Sequence, residues 1–183
     1  MEGVGKTAQA VNIRNKLIEN SETRDHVFWC TVSKDRDYSI GKLQSDIAEC
    51  LNLDLSNEND EKKRAAKLSQ AFARRGKCVL FLDDVWDKID LHRVRIPNGC
   101  KLIITARSFN ICRKMGCKGF KVEPLCEEEA WNLFWAKLCN GEDTTLSPEV
   151  IEIAKFVADE CDGFPLAIIT MAASMRGVDD IRG

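Results

Sequence analysis

The sequence lacks a long hydrophobic run, a strong excess of charge and any internal repeat or low-complexity segment. Its apolar runs fall short of the roughly 18 residues that a membrane-spanning helix needs. The net charge is −2 and the basic residues are dispersed, so nothing indicates a nucleic-acid-binding surface. A length of 183 residues, with 44% hydrophobic and 31% charged residues, therefore predicts an ordinary globular protein of one or two domains.

The nine cysteines include no C-x-x-C pair, and no histidine lies near the two closest ones, Cys112 and Cys117. Several lie within apolar runs, as Cys78 does beside Val79 and Leu80. This arrangement favours reduced, mostly buried thiols that act as small hydrophobic side chains over zinc ligands or disulfides. We therefore expect a cytoplasmic protein.

The apolar periodicity divides the chain into an alternating α and β part and a purely helical part. Continuous apolar strands separated by helices indicate a parallel sheet covered on both faces. After Pro124 only helical patterns remain. The predicted strands lie at 26–32, 77–82 and 101–105, and the predicted helices at 6–20, 39–51, 61–75, 127–138, 148–161 and 165–175.

The first residues match the second half of a phosphate-binding loop. Gly3–Thr7 reads G-V-G-K-T, the end of the pattern G-x-x-x-x-G-K-[ST]. Glycines allow backbone N–H groups to surround a phosphate, and the following helix adds its positive end. Lys6 suits the β- and γ-phosphates, and the Thr7 hydroxyl suits Mg²⁺. The alternative, for this motif alone, is a chance glycine-rich helix start.

The pattern's first glycine would precede Met1, which predicts that the strand feeding the loop is missing. In P-loop folds this strand lies beside the strand that ends at Asp83, so we expect two unpaired strand edges. A loosely anchored loop and the negative charge of Glu2 then predict weaker nucleotide binding than in an intact module. The corresponding alternative is a fragment that binds no nucleotide.

Two carboxylates follow the second predicted strand. The apolar run Cys78–Leu82 leads directly into Asp83 and Asp84, which is the arrangement of a Walker B strand. Asp83 is predicted to hold Mg²⁺, directly or through water. Asp84 is predicted to be catalytic, by orienting or deprotonating a water. A solvated turn is the alternative, and the phosphate-loop lysine upstream favours the functional interpretation.

Two shorter motifs add weaker evidence. Arg107, in Thr105-Ala106-Arg107, follows the next strand and could reach a γ-phosphate, although in isolation it would be interpreted as a surface arginine. Gly163–Ala167, with the sequence G-F-P-L-A, ends one helix and starts another. Its apolar wall could pack on a base.

The order of these motifs resembles the NB-ARC module of plant disease-resistance proteins, the nucleotide-binding leucine-rich-repeat immune receptors. The resemblance covers nearly the whole chain. It is carried by G-V-G-K-T, F-W-C-T-V-S, L-D-D-V-W, T-A-R, Pro124-Leu125 followed by Glu127–Trp131, and G-F-P-L-A. Trp86, the last residue of L-D-D-V-W, resembles the class with an N-terminal coiled coil.

The resemblance implies a truncated P-loop α/β subdomain over 1–118 and part of the first helical ARC subdomain over 119–183. It implies a defence-signalling switch that holds ADP at rest and ATP when active, with slow hydrolysis at most. A turnover P-loop ATPase is the other alternative. The implied partners are the receptor's coiled coil, winged-helix ARC subdomain and leucine-rich repeats, which the sequence does not contain. The implied ligand contacts are Gly3, Val4, Gly5, Lys6 and Thr7 for phosphates and Mg²⁺, Asp83 for Mg²⁺, Arg107 for the γ-phosphate and Pro165 for the adenine side.

Four positions depart from the family pattern. Glu2 stands where the family usually has glycine, Ala106 where it has threonine or serine, and Phe164 where it has leucine. Cys126 stands where a serine commonly caps the following helix, a change expected to cost about 1 kcal/mol.

Overall fold

A computed structural model of the chain describes residues 3–20, 26–32, 39–139 and 146–176. The chain divides into two compact units, one of Lys6–Phe120 and one that combines Met1–Gly5 with Lys121–Gly183. The elements of the first unit are α1 (Lys6–Glu19), β1 (Val27–Thr31), α2 (Ile40–Cys50), α3 (Glu61–Arg75), β2 (Cys78–Val85), α4 (Leu91–Val94), β3 (Cys100–Ala106) and α5 (Phe109–Lys114). Those of the second are α6 (Glu127–Cys139), α7 (Pro148–Asp159) and α8 (Pro165–Ser174).

The first unit is built on a parallel sheet of three strands in the order β1-β2-β3. In the central strand β2, Val79 pairs with Val27 of β1, and Cys78 pairs with Cys100 of β3. Parallel neighbours need crossover connections, which the intervening helices supply. The prediction of a parallel α/β sheet flanked by helices is confirmed.

The predicted pair of open strand edges beside Asp83 is wrong. β3 pairs directly with β2 from Cys78↔Cys100 to Leu82↔Ile104, so the two edges expected to stand unpaired bind each other. Backbone N–H and C=O groups gain from pairing wherever two strands can approach, and these two strands are similar in length and in apolar character. The central strand is therefore hydrogen-bonded on both sides.

Helices α2 and α3 bury their apolar stripes in the core of this unit. Ser39 caps α2 by accepting a hydrogen bond from the Lys42 backbone N–H at 3.2 Å, and Asp60 caps α3 in the same way. Gly76 ends α3 with a positive φ of 69°. Each fully buried side chain contributes about 1.5–3 kcal/mol. The fully buried ones include Leu43, Ile47, Leu68, Phe72, Leu80 and Leu82.

The second unit has a separate core between its three helices α6, α7 and α8. Phe134 of α6 and Ile168 of α8 are fully buried, and Ala154 and Ala172 fill the same core. Small alanines allow helix backbones to approach closely. Ser147 caps α7 by accepting from the Val150 N–H at 3.4 Å, as its position before a proline predicted.

All nine cysteines are free thiols in the structure. Four are buried, four are half-buried, and Cys126 is exposed, so the prediction of mostly buried thiols holds for fewer than half of them. Burial raises the pKa of the Cys117 and Cys161 thiols, which keeps both protonated at neutral pH. Among the described residues, no helix combines the length and the apolar character that crossing a bilayer would require.

The start of α6 has half of a capping box. The Cys126 N–H donates to Oε2 of Glu129 at 3.1 Å, and the Cys126 carbonyl accepts from the Ala130 N–H at 2.8 Å. In a complete box the side chain of the capping residue accepts from the backbone N–H three residues later. Cysteine is a poor acceptor for this bond, whereas serine is a good one.

We expect Cys126→Ser to complete this box and raise the free energy of unfolding by about 0.5–1 kcal/mol. Urea denaturation under reducing conditions measures the change. Cys126→Ala is the matched control, since it removes the thiol without adding an acceptor. If the alanine variant gained as much stability as the serine variant, the capping explanation would be wrong.

Candidate functional site

One hydrogen bond joins the start of α1 to the carboxyl end of β2. Thr7, in the first turn of α1, donates from Oγ1 to Oδ1 of Asp83 at 3.0 Å. Asp83 is only 6% exposed and pairs with Thr31 in the sheet. The structure therefore brings together the two residues that the sequence predicted as Mg²⁺ ligands.

Thr105 is a site residue for which sequence analysis predicted no role. Its Oγ1 donates to the same Oδ1 of Asp83 at 2.6 Å and accepts from the Asp84 N–H at 2.9 Å. A buried carboxylate is costly unless hydrogen bonds compensate for lost water, and two hydroxyls do so here. The signal in the sequence was a polar residue at the carboxyl end of a strand adjacent to β2.

The donor set around Asp83 fits Mg²⁺ delivered with a phosphate ligand. Carboxylate and hydroxyl oxygens are the hard donors that this ion prefers. In the part of the chain that the structure describes, no cluster of three or more His, Cys, Asp or Glu side chains could hold a metal. Mg²⁺ usually takes one or two protein oxygens and completes its shell with water and substrate phosphates. Thr7 and Asp83 meet that requirement.

The predicted γ-phosphate sensor and the predicted catalytic carboxylate form an ion pair. Arg107 Nε lies 3.3 Å from Asp84 Oδ1, and both side chains are about one-quarter exposed. Arg107 follows β3 and Asp84 lies near the end of β2, so the two meet at the edge where parallel strands end. Ligands of open parallel sheets bind at this edge.

In the second unit, the loop glycines lie against the start of α8. Gly3 and Gly5 have positive φ angles of 78° and 93°, which few other residues adopt. The Gly3 carbonyl accepts from the Leu166 N–H at 3.4 Å. A Cβ on Gly5 would lie 3.7 Å from Pro165 Cγ, so Pro165 flanks the loop. The predicted loop residues Gly3 and Gly5 and the predicted base-contact residue Pro165 are thus neighbours.

Val4 and Lys6 complete the predicted loop. Val4 is buried, with 4% of its surface exposed. Lys6 is the first residue of α1, and this end of a helix is where an anion gains most from the helix dipole. Glu2, predicted to repel phosphate, lies outside the described residues, as does Ser33 of the F-W-C-T-V-S motif.

The glycine of G-F-P-L-A has a packing role. Gly163 has a φ of 68°, and a Cβ there would lie 2.2 Å from the Leu125 carbonyl oxygen. The Leu125 N–H donates to the Gly163 carbonyl at 2.9 Å, so the two backbones are in direct contact. Only glycine allows this approach, which sets where α8 begins and therefore where Pro165 lies.

Comparison with known proteins gives consistent matches. The NB-ARC domain family matches residues 1–144. The chain is 37% identical over 188 residues to disease resistance protein At4g27190 of Arabidopsis thaliana, covering 100% of the chain and 19% of that protein. Disease resistance protein UNI of the same plant is 40% identical over 184 residues (96% of the chain, 20% of the relative). The probable disease resistance protein At1g52660 is 37% identical over 185 residues (96% and 48%). The chain thus spans from about a fifth to about a half of these relatives.

Proposed function

The chain belongs to the NB-ARC family, and on this premise we propose that it is the nucleotide-binding switch module of a plant disease-resistance receptor. It binds ADP at rest and ATP when active, with Mg²⁺. The observation that carries the proposal is the 3.0 Å hydrogen bond between Thr7 and Asp83. It joins the hydroxyl after the loop lysine to the acid near the end of the central strand, the pair that P-loop proteins use for Mg²⁺.

Each proposed contact follows from the chemistry of the residue. Gly3, Val4 and Gly5 offer backbone N–H groups to the phosphates, and Lys6 adds a compact positive charge. Thr7 and Asp83 hold Mg²⁺, which neutralises phosphate oxygens when it is bound. Arg107 contacts the γ-phosphate, and Pro165 lies on the adenine side.

Asp84 is proposed to orient a water for hydrolysis, and its ion pair supports a slow rate. Its Oδ1 already accepts a hydrogen bond from Arg107 Nε at 3.3 Å, so this oxygen can orient a water freely only when that contact opens. Slow hydrolysis suits a switch, because the ATP state must persist long enough to signal.

The names of the relatives support the wider setting. Proteins called disease resistance proteins extend well beyond the matched region. We therefore include in the proposal a cytoplasmic location, a role in innate immune signalling, and contacts with the coiled coil, winged-helix subdomain and leucine-rich repeats of a receptor.

Lys6→Ala is expected to weaken ADP binding about ten- to hundred-fold, which corresponds to losing charge-assisted hydrogen bonds of about 1.5–3 kcal/mol. Isothermal titration with ADP and Mg²⁺ measures it. Lys16→Ala is the matched control, since Lys16 is exposed in the last turn of the same helix and its loss removes the same charge.

Equal affinity of the parent and the Lys6→Ala variant would contradict the role of Lys6, and no ADP binding by the parent would contradict the switch function itself. A hydrolysis assay distinguishes the switch from the remaining alternative, a turnover P-loop ATPase. Many turnovers per minute would identify an ATPase, whereas a switch completes few.

Arg107→Ala is expected to weaken a non-hydrolysable ATP analogue about ten-fold or more, since one charge-assisted hydrogen bond contributes about 1.5–3 kcal/mol. ADP affinity should change much less, because ADP has no γ-phosphate for the guanidinium. Paired titrations measure both affinities. Arg113→Ala, an exposed arginine on α5, controls for the loss of charge. Equal losses for both ligands would reassign Arg107 to a structural or β-phosphate role.

A further inference from the structure

We infer that Trp86 is a specificity-determining positioning residue: its ring holds the Arg107 guanidinium where the terminal phosphate of a nucleoside triphosphate can meet it. The inference rests on the nucleotide binding proposed above and adds a residue to it. Arg107 Cζ lies 3.5 Å from the centroid of the Trp86 ring. At that distance the planar guanidinium is in direct contact with the ring face, where a cation is attracted to the π-system.

Asp84 contacts both Trp86 and Arg107 and so fixes their relative positions. Its Oδ1 accepts from Arg107 Nε at 3.3 Å, and its Oδ2 accepts from Trp86 Nε1 at 3.1 Å. One carboxylate therefore binds the edge of the indole and the edge of the guanidinium. Two edge contacts and one face contact define the orientation of the guanidinium. We call Asp84, Trp86 and Arg107 the Trp86 cluster.

The Trp86 cluster lies where β2 and β3 end. The pairing of these strands shifts between Leu82 and Val85, and Asp84 within the shift has a φ of 58°. A positive φ is uncommon for a residue other than glycine and persists where the surroundings enforce it. The Asp84 N–H donates to Thr105 Oγ1 at 2.9 Å, which supplies that constraint. The irregularity turns Asp84 towards Arg107.

Core packing does not explain Trp86. Its neighbour Val85 is fully buried and fills the core at the end of β2, whereas Trp86 itself is 40% exposed. A half-exposed indole at this edge of the sheet contributes less burial than a core residue. Its contacts include Arg107 and Asp84, the two residues that the γ-phosphate would approach.

Holding Arg107 in place should raise the affinity for ATP more than the affinity for ADP. A long flexible side chain loses conformational freedom when a ligand fixes it, and a side chain that is already stacked loses less. With its face on the ring and Nε directed to Asp84, the guanidinium directs its other N–H groups along the plane of the stack. Planar N–H groups bind phosphate oxygens in that geometry. ADP has no γ-phosphate for these N–H groups, so only the affinity for the triphosphate should increase.

The test measures the affinities of the chain for a non-hydrolysable ATP analogue and for ADP by calorimetry. We expect Trp86→Ala to weaken the ATP analogue about three- to ten-fold while ADP affinity stays within about two-fold. Trp86→Phe keeps a ring face under Arg107 and should retain most of the ATP preference. Phe109→Ala is the matched control, because Phe109 is an exposed aromatic residue two positions after Arg107 and its ring lies beside Gly119.

A double variant shows whether Trp86 acts through Arg107. If it does, Trp86→Ala combined with Arg107→Ala should have the same ATP-to-ADP preference as Arg107→Ala alone. An additive further loss, or an unchanged preference in Trp86→Ala, would overturn the inference. If the parent bound neither nucleotide, the proposed function would fail first. If the parent showed an Arg107-dependent preference that Trp86→Ala kept, only the inference about Trp86 would fail.

Discussion

The buried carboxylate of Asp83 constrains the whole sheet unit. It lies near the end of the central strand, is 6% exposed, and accepts hydrogen bonds from Thr7 and Thr105 on Oδ1. Removing a carboxylate from water costs several kcal/mol unless donors replace the lost hydration. The two hydroxyls meet that cost and in doing so tie α1 and β3 to β2. These three side chains therefore meet a structural need, and two of them, Thr7 and Asp83, are the proposed Mg²⁺ ligands.

The local elements could be predicted from the sequence because their signals are local. Helix α1 was predicted to end at about Asn20 and ends at Glu19. Ser39 and Ser147 cap the helices that follow them, and Gly76 and Gly163 adopt the positive φ angles expected after a helix. Each of these features depends on a few neighbouring residues, so pattern and structure agree.

The remaining features depend on contacts between distant segments. One such feature is the direct pairing of β2 with β3, whereas the missing first strand of a P-loop fold had predicted open edges there. The contacts of Thr105 and Trp86 depend on the shifted pairing beyond Leu82. In the sequence, Asp84 follows the second predicted strand and Arg107 follows the third. Their ion pair could not be predicted, since the positive φ of Asp84 has no local signal.

The central claim is that Asp83 and Thr7 form a Mg²⁺ site that a nucleotide completes. Mn²⁺ can replace Mg²⁺ in such sites, and the relaxation rate of water protons rises when Mn²⁺ is held on a protein. With the chain, Mn²⁺ and ADP together, we expect a strong enhancement of this relaxation rate. The chain and Mn²⁺ without ADP should not give it. Asp83→Asn keeps the size of the side chain but removes the charge, and it should abolish the enhancement while circular dichroism stays unchanged. An equal enhancement from the folded Asp83→Asn variant would contradict the account.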